Sequence, residues 1–296
     1  MTKVSSVTLT LLTLLGATVP HAAARECGPE ALGVSRTITV GPKGSAVGLQ
    51  SYPRTLDLKD HEVVLTFDDG PEKPTATVLD ALAKECARAT FFVIGRNAEE
   101  APAVVRREAN EGHSVGYHSY SHPAITLRLM SEAAAKADIE KGIAAVVAAS
   151  GGKSAPFFRF PGFADTPALV DYLKDKGYTI FGSDLWASDW SPMSPKGELD
   201  LVMSRLEKAG KGIVLFHDSK AQTAAMLPDF LRALKTRGYK LVHIAPGETE
   251  TPLVEAGPGW TSTTEPIIAK TLAGKGKGAA GSDAGGEAHG HSHGMQ

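Results

Sequence analysis

Val63-Val64-Leu65-Thr66-Phe67-Asp68-Asp69-Gly70-Pro71 is an apolar, β-branched run that ends in two adjacent carboxylates and a turn. The run has the composition of a buried strand, and Gly-Pro carries the chain away from its end. Two acids therefore sit at the C-terminal end of a strand. In parallel α/β architectures that end is where the loops form the mouth of a site. Being neighbours in sequence, the acids point in different directions, so one can hold a metal while the other handles a proton.

Working outward, strands are predicted at 90–95, 114–116, 157–160, 178–181, 212–216 and 239–242, each preceded by a helical stretch. The helices are expected at 73–86, 97–111, 131–149, 165–176, 199–208 and 223–237, with Asn97 and Glu100 supplying an N-cap and its return partner. About seven alternations imply an α/β protein with a parallel sheet and helical crossovers, open or closed into a barrel. Upstream, in 25–60, Thr37-Ile38-Thr39-Val40 and Thr55-Leu56-Asp57-Leu58 alternate like short strands, and an N-terminal hairpin or arm is expected. From Thr249 the pattern fades, and 273–296 is low in complexity, so disorder is expected there. Its His289, His291 and His293 can capture metal ions or belong to a solubilising tail.

A chain of 296 residues with 42% hydrophobic content can bury a sizeable core, in one large domain or two small ones. A net charge of -2 supplies no general reason to bind nucleic acid or an anionic membrane. Residues 1–24 carry Lys3, an apolar core around Leu9, Leu11, Leu12, Leu14 and Leu15, and Ala22-Ala23-Ala24. That is the form of a cleavable secretory signal, and the apolar run falls short of the ~20 residues that span a bilayer. The chain reads as soluble and exported, to periplasm or medium. Export allows Cys27 and Cys86 to form a disulfide; equally, Cys86 can be a buried residue of its helix.

His118-Ser119-Tyr120-Ser121-His122 places two imidazoles four residues apart, a spacing that on a helix puts both on one face. They follow a predicted strand and would share the mouth with Asp68-Asp69. A carboxylate with two imidazoles suits Zn and similar divalent ions and leaves a coordination position for water. The same mouth should receive Arg159-Phe160-Pro161-Gly162, Ser188-Asp189-Trp190 and Leu215-Phe216-His217-Asp218. Singly each has an ordinary structural reading: Arg159 capping a carboxylate, Trp190 in the core, His217 a satisfied structural histidine. All five clusters fall at or just after strand ends.

In order and spacing these five clusters resemble the motifs of the polysaccharide deacetylases, the NodB-homology family or carbohydrate esterase family four, over about residues 63–245. The resemblance implies a distorted (β/α) barrel that hydrolyses N-acetylated sugars with a divalent metal, Zn foremost, with Co, Ni or Mn as alternatives. It implies Asp69, His118 and His122 as metal ligands, Asp68 as general base and His217 as the acid that protonates the leaving amine. Asp189 resembles the acid that orients His217, and Arg159 the arginine paired with the base. The backbone N–H of Gly162 would help hold the oxyanion, while Trp190 and Leu215 would form the pocket for the acetyl methyl. Two departures bear on substrate preference. The third motif lacks its usual second proline and following aromatic residue, so a sugar-stacking ring is lost there. In the fourth, Trp186 stands where an acid is usual, and Asp184 further back is read as lying outside the site. The partner implied is an acetylated glycan such as chitooligosaccharide, peptidoglycan or exopolysaccharide. O-ester hydrolysis on xylan-like glycans, an inert carbohydrate-binding protein and a metal-handling protein are the competing readings.

Overall fold

The computed structural model of the chain describes residues 27–41, 45–123, 126–249 and 252–279. The predicted signal segment 1–24 and the tail histidines His289, His291 and His293 lie outside them. Three short strands come first, β1 (Arg36–Val40), β2 (Ala46–Val47) and β3 (Arg54–Leu56). The alternation begins with β4 (Glu62–Asp68), α1 (Thr75–Lys84), β5 (Thr90–Val93), the helices α2 (Gly95–Glu100) and α3 (Pro102–Asn110), and β6 (Ser114–Tyr117). Next come α4 (Glu132–Ser150), β7 (Phe157–Phe158), α5 (Pro167–Asp175), β8 (Thr179–Phe181) and β9 (Leu185–Trp186). α6 (Pro195–Ala209), β10 (Gly212–His217), α7 (Ala221–Thr236), β11 (Lys240–Pro246), β12 (Leu253–Glu255) and α8 (Thr264–Ala279) follow among the described residues.

All seven strands expected between 63 and 242 are present; β9, two residues long, carries too little pattern to be read in advance. The helix expected at 97–111 is two helices, because Pro102 opens α3 and cannot donate into a continuing α2. Asn97 is not a cap. Ile94 precedes α2, and the Asn97 amide donates to the Asp69 carbonyl at 2.8 Å.

β4 is buried along its whole length and is the centre of the sheet. β10 runs parallel beside it from Gly212↔Val63 to His217↔Asp68. Its other edge takes β11 at the N-terminal end and β5 at the C-terminal end. From β5 the sheet continues through β6, β7, β8 and β2, all parallel, and β9 adds to the far side of β10. This mostly parallel, curved sheet with outer helices is the distorted (β/α) barrel. Among the described residues no ladder joins β8 to β9. Instead the buried Arg159 guanidinium donates to Phe181 O and Gly182 O at 3.2 and 2.7 Å and to Thr66 Oγ1 at 2.9 Å, tying the end of β8 to β4.

The period of two in a strand separates two cores. Val63, Leu65 and Phe67 belong with the helices, in a cluster that includes Leu79, Leu82, Leu227 and Phe230. Val64 belongs to the barrel interior with Phe92, Phe157, Phe181 and Ile213. Asp68 keeps that inward register, two steps after Thr66 and four after Val64, and so reaches the mouth pointing inward. Each large apolar side chain hidden in these clusters contributes about 1.5–3 kcal/mol.

The N-terminal arm is not a hairpin. β1 pairs in parallel with β11 and β2 with β8, extending the main sheet, while β3 pairs antiparallel with β12 in a separate two-stranded sheet, so its alternating segments do not pair with each other. Ile38, Leu56 and Leu58 join the interior core. The region after Thr249 is also more ordered than its composition suggests. β12 and α8 both form there, and α8 runs through residues 273–279 of the stretch expected to be disordered. Ser262 Oγ accepts the Glu265 N–H at 3.1 Å, an N-cap bond, and Arg128 forks onto Glu265 at 2.7 and 3.0 Å. The cysteines resolve in favour of a disulfide, Cys27–Cys86, with Cα atoms 5.9 Å apart and Cys86 just beyond α1.

Candidate active site

The parallel arrangement brings the C-terminal ends of β4, β6, β7 and β10 to one face. Asp68 is the last residue of β4, and its Oδ1 accepts Arg159 Nη1 at 2.7 Å, with both side chains buried. Its Oδ2 lies 3.8 Å from His118 Nε2. Asp69 follows in the left-handed region, φ 77°, a conformation that acids tolerate better than most residues. The bond from Asn97 to its carbonyl holds that turn. Gly70 is required by proximity, since a Cβ there would lie 2.0 Å from Asp218 Oδ2.

His118 leaves the end of β6, and its Nδ1 contacts Arg159 O at 2.7 Å, which aims Nε2 at Asp69 Oδ1, 3.5 Å away. His122 Nε2 is 3.4 Å from the same oxygen. The two histidines are not on a helix. They meet across a turn in which Ser119 and His122 have positive φ and Ser119 Oγ accepts the His122 N–H at 3.1 Å. Spacing of four served the purpose through a loop rather than a helical face.

The ligand atoms of Asp69, His118 and His122 lie within 4.8 Å of one another. Asp69 Oδ1 is buried with no hydrogen-bond donor, while two ring nitrogens converge on it. A carboxylate oxygen without a donor beside two imidazole nitrogens is a donor set that fits a divalent cation. Burial raises the Asp69 carboxyl, but the positive charge of His118, with His217 and His122, brings it well below the usual carboxylate range. Burial, followed by the charge of His118, lowers His122, favouring the neutral ring that a ligand needs.

His217 ends β10 directly beside Asp68. Asp189 Oδ1 meets its Nδ1 at 2.7 Å, and Asp189 Oδ2 accepts its backbone N–H at 2.6 Å. Nε2 is left toward the cavity, 3.9 Å from Asp69 Oδ2. Burial pulls this imidazole down, yet the bond and charge of Asp189, with Asp69 and Asp68, raise it to about 9. Thr223 of α7 supports the dyad by donating to Asp189 Oδ2 at 2.8 Å, and its oxygen is 2.9 Å from Glu198 Oε1. Burial pushes Glu198 up to about 7. A protonated Glu198 can therefore donate to Thr223 while Thr223 donates to Asp189. Neither residue was picked out from the sequence, because each lies inside a helix with no motif around it.

Gly162 sits in the short turn Pro161–Phe163 with φ 59°, and a Cβ there would meet nothing, so conformation rather than space calls for glycine. With Leu215 and Trp190 it lines a cavity of about 330 Å³ that also contains Asp68, Asp69, His118, His122 and His217. Trp190 is not core: it is 49% exposed and stands edge-on to His217 with centroids 6.0 Å apart. No ring stands at Gly162 of the third motif, and one residue later Phe163 stacks on Trp186 with centroids 6.2 Å apart. Both rings line the cavity, as do Thr264, Ile267 and Ile268 of α8. Asp184 lies outside it, with Oδ1 accepting Leu49 N–H and Oδ2 accepting Thr55 Oγ1 and Ile213 N–H.

Residues 55–181 match the profile of the polysaccharide deacetylase family. A peptidoglycan-N-acetylglucosamine deacetylase of Bacillus cereus is 34% identical over 64% of this chain and 72% of its own length. The Listeria monocytogenes peptidoglycan-N-acetylglucosamine deacetylase PgdA is 33% identical over 68% of this chain, which spans only 41% of that longer protein. Among solved structures, a Bdellovibrio bacteriovorus peptidoglycan deacetylase superimposes with a TM-score of 0.64 at 32% identity, covering 72% of this chain and 59% of that one.

Proposed function

Because the chain belongs to the polysaccharide deacetylase family, we propose that it removes N-acetyl groups from N-acetylglucosamine-containing glycans, releasing acetate, as an exported enzyme. The observation that carries this reading is the convergence of five sequence-distant clusters on one cavity, with Asp68 and His217 side by side on adjacent strands. The metal is part of the proposal. Asp69, His118 and His122 would hold a divalent ion, Zn by the donor set, which would supply Lewis acidity to the water and to the amide carbonyl.

The side chains assign the remaining work. Arg159 occupies Asp68 Oδ1, so Oδ2 is the oxygen that takes a proton from the attacking water as its oxygen bonds to the carbonyl carbon. Negative charge gathering on the carbonyl oxygen is met by the Gly162 N–H, a donor of the kind that contributes a few kcal/mol when preorganised. The C–N bond then breaks as His217 Nε2 delivers its proton to the nitrogen, leaving acetate and a free amine. Asp189 fixes the ring so that Nε2 carries that proton. Leu215 and Trp190 enclose the methyl.

Acetate release from N-acetylchitotetraose should be abolished by chelator and restored by Zn or Co. Asp68→Asn should lose at least about 100-fold in kcat with metal content unchanged. An Asp68→Asn protein that releases acetate at the parent rate would refute the mechanism, and O-acetyl esters assayed alongside test the ester reading.

A further inference from the structure

α8 lies after the last of the five clusters, yet it reaches the reacting centre's cavity through Thr264, Ile267 and Ile268. Its position is set by contacts that do not involve Ile267. The N–H groups of Thr263 and Thr264 donate to Gln50 O at 2.8 and 3.1 Å, Trp260 Nε1 donates to Leu49 O at 2.8 Å, and Glu265 takes the Arg128 fork. Thr264 and Ile268 are buried, 5% and 6% exposed, and seat the helix. Ile267 is different: it is 51% exposed while lining the cavity. With Trp190 at 49%, two of the most exposed large apolar side chains among the described residues stand at one mouth. An exposed apolar pair at a cavity rim marks a surface that a ligand covers.

The charge of that cavity narrows the ligand. Its ionisable lining is confined to Asp68, Asp69 and the three histidines of the reacting centre. Among the described residues no lysine or arginine lines it: Arg159 is spent on Asp68 and the β8 carbonyls, and Arg128 on Glu265. A carboxylate on the glycan would therefore find no cation beyond the centre, whereas the C–H face of a pyranose fits the apolar rim. Resting on the proposed function, we propose that Ile267 of α8 contacts the sugar chain and determines specificity, so that the cleft prefers an uncharged N-acetylhexosamine chain to a carboxylate-bearing one.

Binding of N-acetylchitotetraose, followed by the fluorescence of the cavity tryptophans and by calorimetry, tests this on the full-length protein. Ile267→Asp should raise Kd about tenfold or more and Ile267→Ala about threefold, while Ile267→Leu stays within about twofold, all with melting temperatures close to the parent. The parent should bind the tetraose at least about tenfold more tightly than a muramic-acid-bearing oligosaccharide of the same length. The inference is overturned if folded Ile267→Asp and Ile267→Ala keep the parent Kd, if both glycans bind equally, or if the parent binds neither. Acetate release is measured separately: tetraose binding without acetate would count against the reaction and leave the role of Ile267 standing.

Discussion

Replacing Arg159 by Met, which keeps much of the volume and removes the charge, probes the link between the fold and the reacting centre. In the parent the guanidinium makes a 2.7 Å bond to Asp68, a 2.9 Å bond to Thr66 Oγ1 and bonds to two carbonyls at the end of β8. Both partners of the ion pair are buried, Arg159 at 0% and Asp68 at 3% exposure. Removing one member of such a pair leaves an uncompensated buried charge and costs about 3–5 kcal/mol. Each orphaned carbonyl adds about 1 kcal/mol. The expected loss is about 5–7 kcal/mol, a large share of the ~5–15 kcal/mol that a domain possesses. Urea unfolding at pH 7 in chelator, on Arg159→Met, Asp68→Asn and the double variant, measures it. The double variant should recover about 2 kcal/mol relative to Arg159→Met, because an amide in place of the Asp68 carboxylate leaves no buried charge to orphan. A loss below about 1 kcal/mol for Arg159→Met, or an additive cycle, would refute the account of Arg159 as the tie across the barrel.

Three further outcomes follow from the site and the arm. Asp189→Asn removes the hydrogen bond and charge that do most to raise His217 to about 9 and leaves only the charges of Asp69 and Asp68 against burial, so the alkaline fall of kcat/KM should move to lower pH and the deficit should shrink in acid; a pH profile parallel to the parent's would refute this. The same raised value means that the stability contributed by the His217–Asp189 pair is present below pH 6.5 and is lost as pH rises through about 9. Reducing Cys27–Cys86, which closes a separation of 59 residues, should cost about 2–4 kcal/mol and lower the melting temperature, as calorimetry with and without reductant would show; an unchanged transition would mean that the unfolded chain gains little freedom.

The barrel and its mouth were legible because each is written in short-range pattern. β4 shows its burial in five consecutive apolar or β-branched residues, and its acids mark its end. What escaped the sequence has no local signature. β1 and β3 alternate as a hairpin would, and only the availability of the β11 edge and of β12 decides their partners. His118 and His122 meet through two left-handed residues, a detail invisible in a spacing. Thr223 and Glu198 join the site through helix packing alone, and Ser262 with Glu265 was a readable helix start hidden in a run of Thr and Ser. Phe163 and Trp186 bring stacked rings into the cavity lining from positions outside the expected motif.

The pairing of β3 with β12, and of Gln50 with Thr263 and Thr264, joins residues separated by about 200 positions. Every strand from β4 to β11 lies within the loop that these contacts close. Asp68 and His217 come together through the pairing of β10 with β4, whereas the rim formed by α8 is seated on Leu49 and Gln50, far back in the sequence. The rim and the centre therefore rest on separate supports, and a change in the segment after β11 can reshape the rim while the β4–β10 pairing that sets Asp68 beside His217 stays as it is.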